Sequence, residues 1–198
     1  MTNENENPND ERQENNRALS DKLTEKLINT RTVFLFGEID QKLAEKICSQ
    51  LLILQEMGDE PIKIYINSQG GHVDSGDTIH DMIKFVRPKV YVIGTGWVAS
   101  AGITIYLAAE KENRLSMPNT RYMIHQPLGG VQGQASDIKI EADEIIKMRL
   151  RLNKLISDAT GQPVERINED TLRNYWMDSK QAIDYGIVGR VIRSIDEI

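Results

Sequence analysis

Cysteine occurs once in the 198 residues, so no intramolecular disulfide can form. That thiol, Cys48, falls in an apolar-periodic stretch where a buried, inert role is expected. A chain that does not rely on cystine fits a reducing compartment, and the cytoplasm is the expected location. Basic residues are also in short supply: 24 Lys and Arg stand against 30 Asp and Glu, a formal net charge of −6. An acidic surface is repelled by phosphate backbones and anionic headgroups, which argues against nucleic acid or a membrane as partner. The longest uncharged run, Val90 to Ala109, is broken by three glycines, two threonines and a serine. A buried strand, a tight turn and a buried helix are predicted there rather than a membrane span. The opening "MTNENENPNDERQENNR" has neither the basic start nor the apolar core of a secretory signal, and too few apolar residues to pack. Residues 1–18 are therefore predicted to be a disordered polar tail, and residues 19–198 a single domain without internal repeats.

Within that domain, apolar runs and amphipathic segments alternate. Strands are predicted over Thr32–Phe36, Ile62–Ile66, Val90–Ile93, Arg121–Ile124 and Ile187–Ile192. Helices are predicted from Gln41 to Met57, from Val73 to Val86 ahead of Pro88, from about Ser100, and from Ser136 to Thr160, where Gly161 and Pro163 stop the chain. Asn67–Gly71, "NSQGG", reads as a turn. The alternation implies an α/β layered fold with a mostly parallel sheet and right-handed crossovers.

In such folds, reactive groups gather at the carboxyl ends of strands. Three chemistry-bearing segments fall there: Gln69-Gly70-Gly71, Ser100 in "GWVASAG", and His125. Consecutive glycines let backbone amides approach a bound chain, as an oxyanion site requires. The amide after Ser100, that of Ala101, would open a helix and offer a second donor, and His125 would be the base that takes the serine proton. A serine among small residues serves close packing as readily as chemistry. The strict G-x-S-x-G elbow is also absent, because Val98 holds the first glycine position. His125 beside Gln126-Pro127 reads equally as a structural hydrogen bonder. His72, Asp77 and His80 lack familiar metal-ligand spacing, so no metal is expected. "GGVQG" (Gly129–Gly133) has no following Lys-Ser/Thr and reads as a substrate-facing loop rather than a phosphate cradle.

"YINSQGG" (Tyr65–Gly71), "ASAG" (Ala99–Gly102), "MIHQPLGG" running into "VQGQASDI" (Met123–Ile138), "TGQP" (Thr160–Pro163) and "DYGIV" (Asp184–Val188) together resemble the Clp protease proteolytic subunit, the ClpP family of serine peptidases. The likeness runs from about Leu27 to Ile192. It implies a ClpP/crotonase-like layered fold with a protruding handle, here residues 128–160. It implies Ser100 as nucleophile, His125 as general base and acid, and the amides of Gly71 and Ala101 as oxyanion hole. Peptide would bind along Gln126, Pro127, Leu128, Gly129 and Gly130. It further implies two stacked seven-membered rings, unfolded polypeptides as substrates, and a separate hexameric AAA+ unfoldase that consumes ATP. No cofactor is then expected on this chain.

Four departures stand beside the likeness. The aspartate usual in the family's triad falls on Asn174, and Asp170, four residues earlier, matches a different family position. An Asp-Arg pair used across the ring junction reads Leu172-Arg173, and Gln69 replaces a usual proline. The segment before Leu27 matches the family's axial N-terminus poorly. A Ser-His-Asn enzyme that is weak alone, or that works in a mixed barrel beside a ClpP paralogue, is the expectation. A catalytically silent structural subunit and a crotonase-like acyl-CoA enzyme are the alternatives.

Overall fold

The computed structural model describes residues 22–198, so the tail predicted over residues 1–18 lies outside the described residues. A helix over residues 22–29 (α1) leads into β1 (Thr32–Ile39), α2 (Gln41–Met57), β2 (Ile62–Gly71), α3 (Val73–Phe85) and β3 (Val90–Ala99). Then follow α4 (Ala101–Tyr106), β4 (Arg114–Ser116), β5 (Arg121–Ile124), α5 (Ala135–Thr160), α6 (Val164–Asp170), β6 (Tyr175–Asp178), α7 (Ser179–Tyr185) and β7 (Arg190–Val191). The strands form one sheet in the order β1-β2-β3-β4-β7, parallel throughout that path. β3 changes partner midway. Val92–Gly94 pair with β4, and Trp97–Ala99 pair with β5, which in turn carries β6 as an antiparallel edge.

Why these segments take these forms is visible locally. Asp40 caps α2 by accepting from the Leu43 amide at 2.7 Å, and Ala44, Ile47, Leu51 and Leu54 bury one stripe of the helix. β2 alternates, with Ile62, Ile64 and Ile66 fully buried between strands on either side. α7 begins with a capping box in which Asp178 and Gln181 exchange bonds. The core gathers Val33, Leu35, Ile39, Ile64, Ile66, Val92, Tyr106 and Tyr122 with the inner faces of α2, α3 and α4. Burial pushes the Tyr122 hydroxyl up to about 12, and the Tyr106 hydroxyl donates to the Leu115 carbonyl at 2.7 Å. Cys48 is half-buried with its thiol pushed up by that burial, the environment of an inert cysteine.

The sequence reading needs correction at several places. "NSQGG" is no turn: β2 runs through Gly71, pairing Glu38 with Gly70 and Ile39 with Gly71. β3 continues six residues past Ile93, β1 three residues past Phe36, and the last strand shrinks to Arg190–Val191. β4 and β6 were not anticipated. The uncharged run Val90–Ala109 is β3 followed by α4 within the core, and no helix among the described residues is long and apolar enough to cross a membrane. α5 starts one residue early, at Ala135. Its first half stands clear of the body, whereas Asn153 and Ile156 are buried at its base, the handle-like projection expected of residues 128–160.

Candidate active site

β3, β5 and β6 deliver the site, and their side-by-side pairing is what brings together residues 25 and 49 positions apart. Ser100 follows β3 and caps α4 with φ 55° and ψ −124°, a left-handed backbone uncommon for a residue with a side chain. Such strain, of order 1 to 3 kcal/mol, persists where the surroundings over-determine it. Here the Ser100 amide donates to the Met123 carbonyl at 3.0 Å, which pins the bend against β5. Gly70 lies directly beneath: a Cβ there would stand 2.6 Å from Ser100 Cβ and 2.8 Å from the Ala99 carbonyl oxygen. So the close packing that a G-x-S-x-G elbow obtains from its first glycine is supplied here from β2, a neighbouring strand.

His125 extends β5 and reaches back over Ser100. Its Nε2 accepts from the Ser100 hydroxyl at 2.7 Å, while its Nδ1 donates to Asn174 Oδ1 at 3.1 Å. The amide oxygen toward the ring selects the tautomer that leaves Nε2 unprotonated and ready for the serine proton. Asn174 is exposed, and its loop is tied to the histidine by neighbours. The Gln126 amide donates to the Thr171 carbonyl at 2.7 Å, and Gln126 Nε2 to the Leu172 carbonyl at 3.1 Å. Asp170, the other acid near that loop, is turned away and accepts from the Tyr185 hydroxyl at 2.7 Å.

A cleft of about 340 Å³ opens over the pair, lined by Glu38, Gln69, Gly70, Gly71, Val73, Ser100, His125, Pro127 and Leu128. A smaller hollow runs behind Ser100, lined mostly by apolar side chains from Val73, Ile103, Ile124, Leu152 and Ile156 together with Thr104. Of the residues expected to bind peptide, Pro127 and Leu128 border the cleft. Gln126 also braces the Asn174 loop, and Gly129 and Gly130 lie exposed on the way to α5. Gly71 ends β2 and borders the cleft, and Ala101 opens α4 directly after Ser100. His72 bonds Ser75 at 2.9 Å, His80 bonds the Thr104 carbonyl at 2.7 Å, and Asp77 pairs with Arg151, so these three are engaged separately.

Sequence reasoning missed Ser68. It is fully buried, donates to the Gly37 carbonyl at 2.5 Å and accepts from the Gly70 amide at 3.0 Å, which fixes the glycine pair relative to β1. Its only signal was a polar residue in the inward register of β2. Gly71 has φ 154°, and a Cβ there would overlap the Ile39 backbone. Gly71→Ala should therefore lower stability by about 2 kcal/mol and abolish acylation, since β1 must part from β2 to admit the methyl. Thermal unfolding and fluorophosphonate labelling of the same sample check both effects.

A hydroxyl, an imidazole and a carboxamide stand in hydrogen-bonded line at the ends of parallel strands, an arrangement of groups like that of serine hydrolases. A family model described as Clp protease matches residues 13–195. The chain belongs to the Clp protease family. The ATP-dependent Clp protease proteolytic subunit 3 of Rhizobium etli is 58% identical over 172 residues, covering 87% of this chain and 89% of its own. The corresponding subunit 2 of Pseudomonas aeruginosa is 49% identical over 181 residues, covering 91% and 90%. Solved structures of ClpP1 from Listeria monocytogenes and of an asparagine-to-aspartate mutant of it are 62% identical. They cover 88% of this chain and 98% of theirs, with TM-scores of 0.81 and 0.83.

Proposed function

We propose that the chain is the proteolytic subunit of an ATP-dependent Clp protease, a serine endopeptidase that hydrolyses unfolded polypeptides with the triad Ser100, His125 and Asn174. The observation that carries the reading is the 2.7 Å bond from the Ser100 hydroxyl to His125 Nε2, with Nδ1 held by an acceptor. An extended peptide adds as a strand along the segment from Gln126 to Gly130, and its scissile carbonyl points into the cleft. Ser100 attacks as its proton moves to Nε2, and the amides of Gly71 and Ala101 receive the developing oxyanion. His125 then hands the proton to the leaving amine, and water, deprotonated by the same nitrogen, releases the acyl group. Asn174 orients the ring through its carbonyl without offering the imidazolium a full counter-charge.

This chemistry needs no cofactor on the chain. A separate hexameric AAA+ unfoldase consumes ATP and feeds the substrate, the chain closes into two stacked rings of seven, and the assembly works in the cytoplasm. The family match and the words "ATP-dependent" in the relatives' names support the ATP-linked part of that reading. The pair Leu172-Arg173 supports a mixed barrel, because the half-exposed Leu172 offers no acid for a junction with an identical copy. The test is degradation of a fluorescently labelled unfolded polypeptide with a Clp unfoldase and ATP, with and without a paralogous proteolytic subunit, beside native mass. Ring-sized particles whose ATP-dependent degradation falls on Ser100→Ala support the proposal. Particles that degrade nothing in either mixture, or a single chain that binds acyl-CoA, overturn it.

A further inference from the structure

The chain's only two tryptophans lie on each other. Trp97 and Trp176 stack with ring centroids 6.1 Å apart and planes within 5°, and the Arg121 guanidinium rests 4.3 Å above the Trp176 ring. They belong to strands that do not pair. Trp97 is on β3 opposite Arg121 of β5, and Trp176 is on β6 opposite Met123 of β5, so the stack reaches across the middle strand. Each tryptophan also lies within three residues, in sequence, of a triad member that flanks its strand. Trp97 precedes Ser100 by three residues, and Trp176 follows Asn174 by two, while β5 between them ends at His125.

The weak point of the site is Asn174. β6 is a four-residue edge strand whose single partner is β5, and the bond from His125 to Asn174 joins two neutral groups at 3.1 Å. Neutral bonds restrain geometry less than charge-assisted ones. The Gln126 bonds to Thr171 and Leu172 hold the loop before Asn174, and the tryptophan stack is the structure that spans all three strands and holds the strand after it. Resting on the Ser-His-Asn reading of the site, we infer that Trp97 and Trp176, with Arg121, form a brace that positions Asn174 against His125. They are positioning residues, remote from the reacting atoms, and they compensate in this chain for the missing carboxylate.

The brace predicts a particular kinetic pattern. Trp176→Leu and Trp97→Leu each lower the limiting rate of Ser100 acylation by a fluorophosphonate about tenfold, as expected for a small displacement of a catalytic group. Half-saturating probe concentration stays within about twofold, and Trp176→Phe, which keeps a planar face, retains most of the rate. In an Asn174→Asp background, where a charged bond grips the imidazole, the same leucine substitution costs less than about threefold. A purely structural role would instead give the same factor in both backgrounds, tracking the fall in Tm. That equality, an effect confined to probe affinity, or wild-type rates in the leucine variants each overturns the brace. If wild type labels and the variants match it, the brace alone falls. If wild type takes no label at Ser100, the triad reading falls and the brace with it.

Discussion

Ser100→Ala eliminates fluorophosphonate labelling and peptide hydrolysis, with a loss on the order of 10⁶ in kcat where the triad is fully engaged. The size follows from what the substitution removes. In the proposed mechanism the hydroxyl is the nucleophile, it belongs to the only hydroxyl-imidazole pair facing the cleft among the described residues, and its loss leaves His125 Nε2 with no proton to take. The fold should not notice. The Ser100 amide still bonds the Met123 carbonyl, and alanine meets the same φ of 55° that serine already tolerates, so Tm and native mass stay at wild-type values. Residual labelling at another residue in the Ser100→Ala protein, read by mass spectrometry of the adduct, would assign the nucleophile elsewhere.

Asn174→Asp raises the acylation rate, and this is the second large effect. In chymotrypsin-type enzymes the reverse exchange costs about 10⁴ in kcat, much of it because the amide favours the wrong imidazole tautomer. Here the Asn174 oxygen already faces Nδ1, so the tautomer is right and what is missing is charge. The gain expected from supplying that charge is about 10- to 100-fold, the share a charge-assisted bond adds when the imidazolium forms. Single-turnover labelling isolates acylation from product release. An unchanged or slower rate would mean that the exposed Asn174 is not a working member of the triad and that His125 is oriented by other contacts.

How far the site was legible from sequence depended on whether its parts were local. α2 and β5 carry their periodicity within themselves, and their boundaries were read correctly. Ser100 and His125 could be nominated because each follows a recognisable apolar strand. Asn174 could not be found by pattern, since it lies in the polar stretch "EDTLRNYW" and meets His125 only through a strand pair. Only the family resemblance pointed to it. β6 and β4 escaped for related reasons. β4 is three residues led by a buried arginine that binds the carbonyls of Gly186 and Ala159, and no hydrophobic run announces it. Gly70-Gly71 misled in the opposite direction. Consecutive glycines usually signal a turn, yet here positive φ lets a strand continue beneath the serine where any side chain would collide.

The division of β3 between two partners has a bearing on how the molecule breathes. Its first half is sealed into the main sheet beside β2 and β4, while its second half leans on β5 and, through it, on the short edge β6. Cooperative opening units follow such seams, and an edge of four-residue strands separates at lower free energy than a buried parallel core. The buried Tyr122, Ile124 and Met177 tie that corner to the core, so β6, with β5 as its single partner, is the strand expected to open first. Hydrogen exchange should therefore run faster at the amides of β6 than at those of β2, and the strand that follows Asn174 is the part of the site most open to outside pressure.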